Sequence, residues 1–236
     1  MKNIFLPILL IVMFFYSIFY FRPIYQDSQK PFYDNIDNKL WAHRILDKSI
    51  AHSIKNDVPG IEVDVFYESD LNIFDVRHHG KLQNKSLYNF LNDLDSVKIW
   101  LDVKNINVNN IDLITKRLIY LDYHFNISDR LIIESKKINL LSNIQDSGFN
   151  VCYWLPSFHV LKSLFEIYKI KNDLMKYKPT AISCSHNHVL FYSNKFPNYN
   201  LHCWTNGVDL DKDIDIIYKL CERNNVKIVL VDKIIK

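Results

Sequence analysis

Two carboxylates set two positions apart are the first feature of this chain with chemical potential. In Ile61-Glu62-Val63-Asp64-Val65 a strand would turn Glu62 and Asp64 to one face and Ile61, Val63 and Val65 to the other. The segment Ile99-Trp100-Leu101-Asp102-Val103-Lys104 repeats the device, with Trp100, Asp102 and Lys104 on one face and an aliphatic set opposite. Three carboxylates converging in a low-dielectric pocket repel one another unless they are protonated or neutralised by a cation. A divalent metal resolves that conflict. Oxygen ligands with water completing the shell suit Mg²⁺ or Ca²⁺, since no thiolate or histidine set of zinc type accompanies these residues. The same polar residues can equally build a structural ion network. His43 and His78 end candidate strands beside the cluster, and a pair of imidazoles with offset pKa values can serve as general base and general acid. With Arg44 and Lys104 the set describes a site for a phosphate diester, its anionic oxygens held by cations and its leaving oxygen protonated by a histidine.

Such a site needs strands whose ends converge. The chain alternates short β-branched runs with longer amphipathic ones, the pattern of repeated β/α units around a parallel sheet. The runs predict strands at Leu40–Arg44, Gly60–Phe66, Ile99–Lys104, Arg130–Ser135, Val151–Leu155, Ala181–Ser185, Leu201–Thr205 and Val226–Val231, plus an extra strand at Ile73–His78. Helices are expected at Ile111–Tyr123, Leu140–Ser147, Val160–Tyr177 and Ile214–Asn224. Eight such repeats fit a (β/α)8 TIM barrel, whose chemistry collects at the carboxyl ends of the strands. A doubly wound open sheet is the alternative. Only four glycines stand in 236 residues, which excludes the Gly-rich phosphate loops of nucleotide-binding folds. A net charge of +3 without a basic, aromatic-interleaved run gives no expectation of nucleic acid as partner. The four cysteines lack metal spacing and read as buried thiols, one disulfide being the alternative.

Ahead of the barrel, Ile4–Phe21 carries no charge over eighteen residues between Lys2 and Arg22, long enough to cross a bilayer. No small-residue cleavage site follows it. The expected organisation is therefore a membrane anchor or uncleaved signal over residues 1–22, a linker over 23–38 and an exported barrel domain over 39–236, single-pass and facing the periplasmic or extracellular side.

The ordered set His43-Arg44, then Glu62-Val63-Asp64 nineteen positions later, then His78 fourteen after Asp64, resembles the HR…ExD…H signature of the glycerophosphodiester phosphodiesterase family of PLC-like phosphodiesterases. Leu101-Asp102-Val103-Lys104 is similar to that family's E-x-K segment, Tyr153–Pro156 to its fifth-strand segment, Trp204-Thr205-Asn206 to its WT(V)N segment, and Val229–Asp232 to its last strand. The resemblance implies Glu62, Asp64 and Asp102 as metal ligands and His43 and His78 as the acid/base pair. It further implies Arg44 and Lys104 as phosphate-binding cations and Trp204 as a substrate-side wall. Asp102 stands where most members have Glu and where the sphingomyelinase D-like branch has Asp. His79 stands where the signature has Asp after its His, which leaves His78 and His79 as alternatives for one catalytic position.

Glu134 and His186 also end on the expected rim, as additional ligand, substrate contact or network partner. The implied activity is metal-dependent hydrolysis of a glycerophosphodiester or a phospholipid-derived headgroup substrate. A phospholipase D-like transfer giving a cyclic phosphate, and a non-catalytic barrel that binds a phosphate or headgroup, are the alternatives.

Overall fold

The structure, a computed structural model, describes residues 39–157, 163–207 and 213–232. Residues 1–22 and 23–38, expected as anchor and linker, lie outside the described residues, and among those described no helix is long and apolar enough to cross a membrane.

Eight parallel strands close into a barrel. In chain order they are β1 (Leu40–Ala42), β2 (Gly60–Glu68), β4 (Lys98–Val103), β5 (Leu131–Ser135), β6 (Asn150–Trp154), β7 (Ala181–Ser185), β8 (Leu201–Trp204) and β9 (Val226–Val231). Each pairs with its neighbour, and the ring is completed by β1 between β9 and β2, where Ala42 meets both Val231 and Ile61. The extra strand β3 (Ile73–Val76) is antiparallel and folds back only on the far end of β2, from Val65 to Glu68. Helices α1 (Lys48–Ile54), α2 (Leu87–Leu91), α3 (Ile111–Phe125), α4 (Ile138–Asp146), α5 (Ser163–Tyr177), α6 (Val189–Lys195) and α7 (Ile214–Cys221) fill the connections. The open-sheet alternative is thereby excluded. Five of the nine expected strands (β1, β3, β4, β6 and β8) stop a residue or two early, three end where expected, and β2 runs two residues further, to Glu68.

Period-two alternation builds two cores. The outward residues Ile61, Val63, Val65, Ile99, Leu101, Leu131 and Ile133 pack under the helices, and Ile182, Leu201, Val226 and Val229 do so on the other half of the ring. The inward residues Trp41, Trp100, Ile132, Cys152, Ala181, Ile228 and Leu230 plug the barrel itself. Gly60 shows how tight that plug is: a Cβ there would lie 2.4 Å from the Trp41 ring, so β2 admits the indole only through glycine. Above the plug the inward positions turn polar. All four cysteines are free, and Cys152, Cys184 and Cys203 are buried.

Candidate active site

A cavity of about 130 Å³ opens at the carboxyl ends of the strands, lined by His43, Arg44, Glu62, Asp64, His78, Trp100, Asp102, Lys104, Glu134, Trp154, Trp204, Asn206 and Leu230. At about 30 Å³ per water molecule it holds roughly four waters, or an ion with one phosphoryl group. Register explains the convergence: Asp64, Asp102 and Glu134 are successive partners across β2, β4 and β5. One carboxylate oxygen each from Glu62, Asp64 and Asp102 lies within 4.8 Å of the others, and all three residues are buried.

The electrostatics call for a cation. Burial pushes the Glu62 carboxyl well above the usual range, and the neighbouring Asp64 and Asp102 charges add to the shift. Burial also raises Asp102, with the Lys104 ammonium offsetting only part of it. In Asp64 burial is outweighed by Lys104 and His78, so this carboxyl is held below its ordinary value. The Lys104 ammonium bridges Asp64 and Asp102, and their charges hold its pKa above normal against the effect of burial. With all three ionised, three carboxylates against one lysine would leave two negative charges uncompensated in a buried pocket, the charge a divalent ion would neutralise. The donor set is all oxygen, which fits Mg²⁺ or Ca²⁺.

Arg44 follows β1 with φ of 53°, a left-handed conformation uncommon outside glycine and concentrated at functional sites. The turn points its backbone N–H at Glu62 Oε2, 2.8 Å away, and lets the exposed guanidinium donate to Asn206 Oδ1 at 3.3 Å. His43 is buried. Its Nδ1 lies 2.6 Å from Asp232 Oδ1, and its Nε2 4.0 Å from Glu62 Oε2. A carboxylate can only accept, so this contact keeps the proton on Nδ1 and leaves Nε2 toward the cavity. Burial lowers the His43 pKa, with Asp232 countering it in part, so the ring is neutral at neutral pH. The second Asp232 oxygen accepts the Gly207 N–H at 2.8 Å, tying the loop after β8 to the same histidine.

His78 reaches the cavity from the loop after β3, its Nδ1 2.6 Å from Asp64 Oδ2. That loop is organised by Asp75, which is wholly buried. Asp75 accepts from Arg77 Nη1 at 2.5 Å and from the backbone N–H groups of Gln83 and Lys85 at 2.9 and 2.8 Å. Arg77 also pairs with Glu68, and its own N–H bonds the Asp64 carbonyl at 3.0 Å. His79 is exposed and outside the cavity lining, its ring 4.4 Å from that of His78 and edge-on to it.

Glu134 lines the cavity floor, hydrogen-bonded by Ser183 Oγ; burial first, then the Asp102 charge, raises its pKa well above the carboxylate range. Trp204 forms a wall with Trp154, ring centroids 4.9 Å apart. His186 sits half-buried in the turn after β7 and does not line the cavity. The structure therefore gathers His43, Arg44, Glu62, Asp64, His78, Asp102, Lys104, Glu134 and Trp204 around one cavity and leaves His79 and His186 outside it. The sequence alone shows that the last strand ends in Asp232 and that Asn206 follows Trp204-Thr205 but gives neither a role, and it gives no sign of Asp75. The signal for Asp232 was its place at the end of a barrel strand.

No protein-family model matches the chain, and no curated protein matches its sequence. Solved structures do. A glycerophosphodiester phosphodiesterase from Parabacteroides distasonis superposes with a TM-score of 0.58 at 15% identity, over 82% of this chain and 92% of that one. The fold of this chain is the barrel fold of that enzyme. A candidate glycerophosphodiester phosphodiesterase from Galdieria sulphuraria gives 0.61 at 12% identity, over 83% and 94% of the two chains. An orotidine 5'-monophosphate decarboxylase from Sulfolobus solfataricus gives 0.51 at 17% identity, over 83% and 88%. One barrel serves unrelated reactions, so function must be argued from the side chains in the mouth.

Proposed function

We propose that this protein is a metal-dependent phosphodiester hydrolase acting on a glycerophosphodiester or related headgroup substrate. The observation that carries the reading is the pairing of two histidines, each held at Nδ1 by a carboxylate, beside a buried trio of acids. Glu62, Asp64 and Asp102 would hold Mg²⁺ or Ca²⁺. When bound, such an ion polarises a phosphoryl oxygen and acidifies a coordinated water or hydroxyl.

The chain's own groups supply the rest. Arg44 binds a non-bridging phosphate oxygen, with Asn206 steadying its guanidinium, and Lys104 brings a second positive charge to the phosphate while bridging two of the acids. His43 is the base: it is neutral, its proton is fixed on Nδ1, and Nε2 is free to take a proton from the attacking hydroxyl. His78, anchored on Asp64, donates a proton to the departing alkoxide. His78 rather than His79 fills this role because it lines the cavity. The apolar segment at residues 4–21 supports attachment of the barrel to a membrane.

Paired substrates test these roles. Replacing the base in His43→Ala lowers turnover of every diester by about 10²–10⁴-fold. His78→Ala does the same for glycerophosphodiesters, whose alkoxide needs a proton, but far less for bis(p-nitrophenyl) phosphate, whose phenolate leaves unaided. Equal losses on both substrates in His78→Ala would refute its role as acid, and a fully active His43→Ala would refute the mechanism. A substrate hydroxyl as the attacking group would yield a cyclic phosphate instead of free glycerol phosphate, which product analysis distinguishes.

A further inference from the structure

We propose that the cavity mouth selects glycerophosphodiesters whose alcohol is neutral or anionic and rejects quaternary ammonium head groups, with Lys136 as the residue that sets this preference. The inference rests on the phosphodiesterase reading and deepens it.

An aromatic wall is the usual recogniser of a quaternary ammonium group, which sits over the electron-rich ring face. Here the wall is Trp154, at the end of β6, with Trp204 packed against it at the end of β8. That ring is already engaged. The Lys136 ammonium lies 3.8 Å from the Trp154 ring centroid and the Lys104 ammonium 5.9 Å from it. Lys104 is committed to Asp64 and Asp102, whereas Lys136, exposed just past β5, forms no ion pair with any described carboxylate. Among the described residues the Arg44 guanidinium likewise has no carboxylate partner and donates to the Asn206 side chain.

Lys136 does not itself line the cavity; its ammonium lies over the ring of Trp154, which does, and the Arg44 guanidinium stands at the rim. A trimethylammonium group brought to Trp154 would displace the Lys136 ammonium or meet a like charge at close range. A hydroxyl or phosphate oxygen at the same place would accept from the Lys136 ammonium and gain a charge-assisted hydrogen bond. Lys136 touches none of the acid trio, so its effect is on which alcohol is tolerated and not on bond cleavage.

The test compares kcat/KM of the full-length protein, with Mg²⁺ or Ca²⁺, on glycerophosphocholine, glycerophosphoglycerol and glycerophosphoinositol. The wild type is expected to favour the last two over the choline ester by about tenfold or more. Lys136→Ala should bring the three within about twofold, and Lys136→Glu should invert the order, since an opposite charge now faces the head group. Both should leave turnover of bis(p-nitrophenyl) phosphate, whose two nitrophenyl groups carry no net charge, within about twofold of wild type. A wild type that hydrolyses the choline ester as well as the others, or an unchanged ratio in both variants, overturns the inference while leaving the phosphodiesterase intact. Failure to hydrolyse any of the diesters with either metal refutes the parent reading and this one with it.

Discussion

His202 lies on the inward face of β8, fully buried beneath the site, with its ring 5.0 Å from Trp100 and Nδ1 3.7 Å from the Cys152 thiol. Burial drives its pKa from the ordinary 6.5 down to about 3. The folded protein therefore keeps this imidazole neutral where the unfolded chain would protonate it. The contribution to stability is complete above pH 6.5 and is lost as pH falls toward the folded value, at about 1.4 kcal/mol per pH unit. By pH 5 the loss is about 2 kcal/mol, and it approaches 5 kcal/mol as a ceiling near pH 3. His202→Gln removes the titration while keeping a polar group of similar size. Urea unfolding of both proteins at pH 7.5 and pH 5 isolates the term, because titrations of the remaining groups cancel between them. The wild type should lose about 2 kcal/mol more than the variant over that interval. Parallel losses would show that water reaches the barrel interior, and would refute the dry plug on which the site is built.

Three further perturbations probe the scaffold and the histidines. Gly60→Ala forces a methyl group into the Trp41 ring at 2.4 Å and should cost about 1–3 kcal/mol in thermal or urea unfolding; no loss would mean the indole can move aside. Asp75→Ala leaves Arg77 buried beside Glu68 alone and frees the N–H groups of Gln83 and Lys85. A cost of about 3–5 kcal/mol is expected, and near-wild-type stability would show that the loop carrying His78 is held by other contacts. Asp232→Ala frees the His43 ring and should lower kcat by about 10–100-fold with metal binding unchanged, whereas an unaltered kcat would deny Asp232 a positioning role.

Much of this architecture is legible in local pattern. The alternation in Ile61–Val65 and Ile99–Lys104 assigns each residue to a face without reference to any other part of the chain, and β2 and β4 follow it. Contacts between distant positions are different in kind. Asp232 meets His43 across 189 residues, and only closure of the ring by β1 brings them together. Gly60 reads only as the first residue of an expected strand, and its need to be glycine shows once the Trp41 indole is seen lying against it. Asp75 is flanked by Phe74 and Val76 and carries no sequence sign that it organises a loop; its role comes from the hairpin that returns Arg77, Gln83 and Lys85 to it. His78 and His79 are equivalent by type and adjacent in position; the signature spacing points to His78, and the path of the chain after β3 turns His78 into the cavity and leaves His79 outside its lining.

The central claim is that the acid trio holds a divalent ion needed for diester cleavage. The measurement that reaches it most directly is hydrolysis of a glycerophosphodiester by the full-length protein after EDTA treatment and again after adding back Mg²⁺ or Ca²⁺, alongside calorimetric titration of the ion into wild type and Asp64→Asn. The account predicts turnover abolished by EDTA, restored by one of the two ions, and absent together with ion binding in Asp64→Asn. Undiminished turnover in EDTA, or in Asp64→Asn, would contradict it.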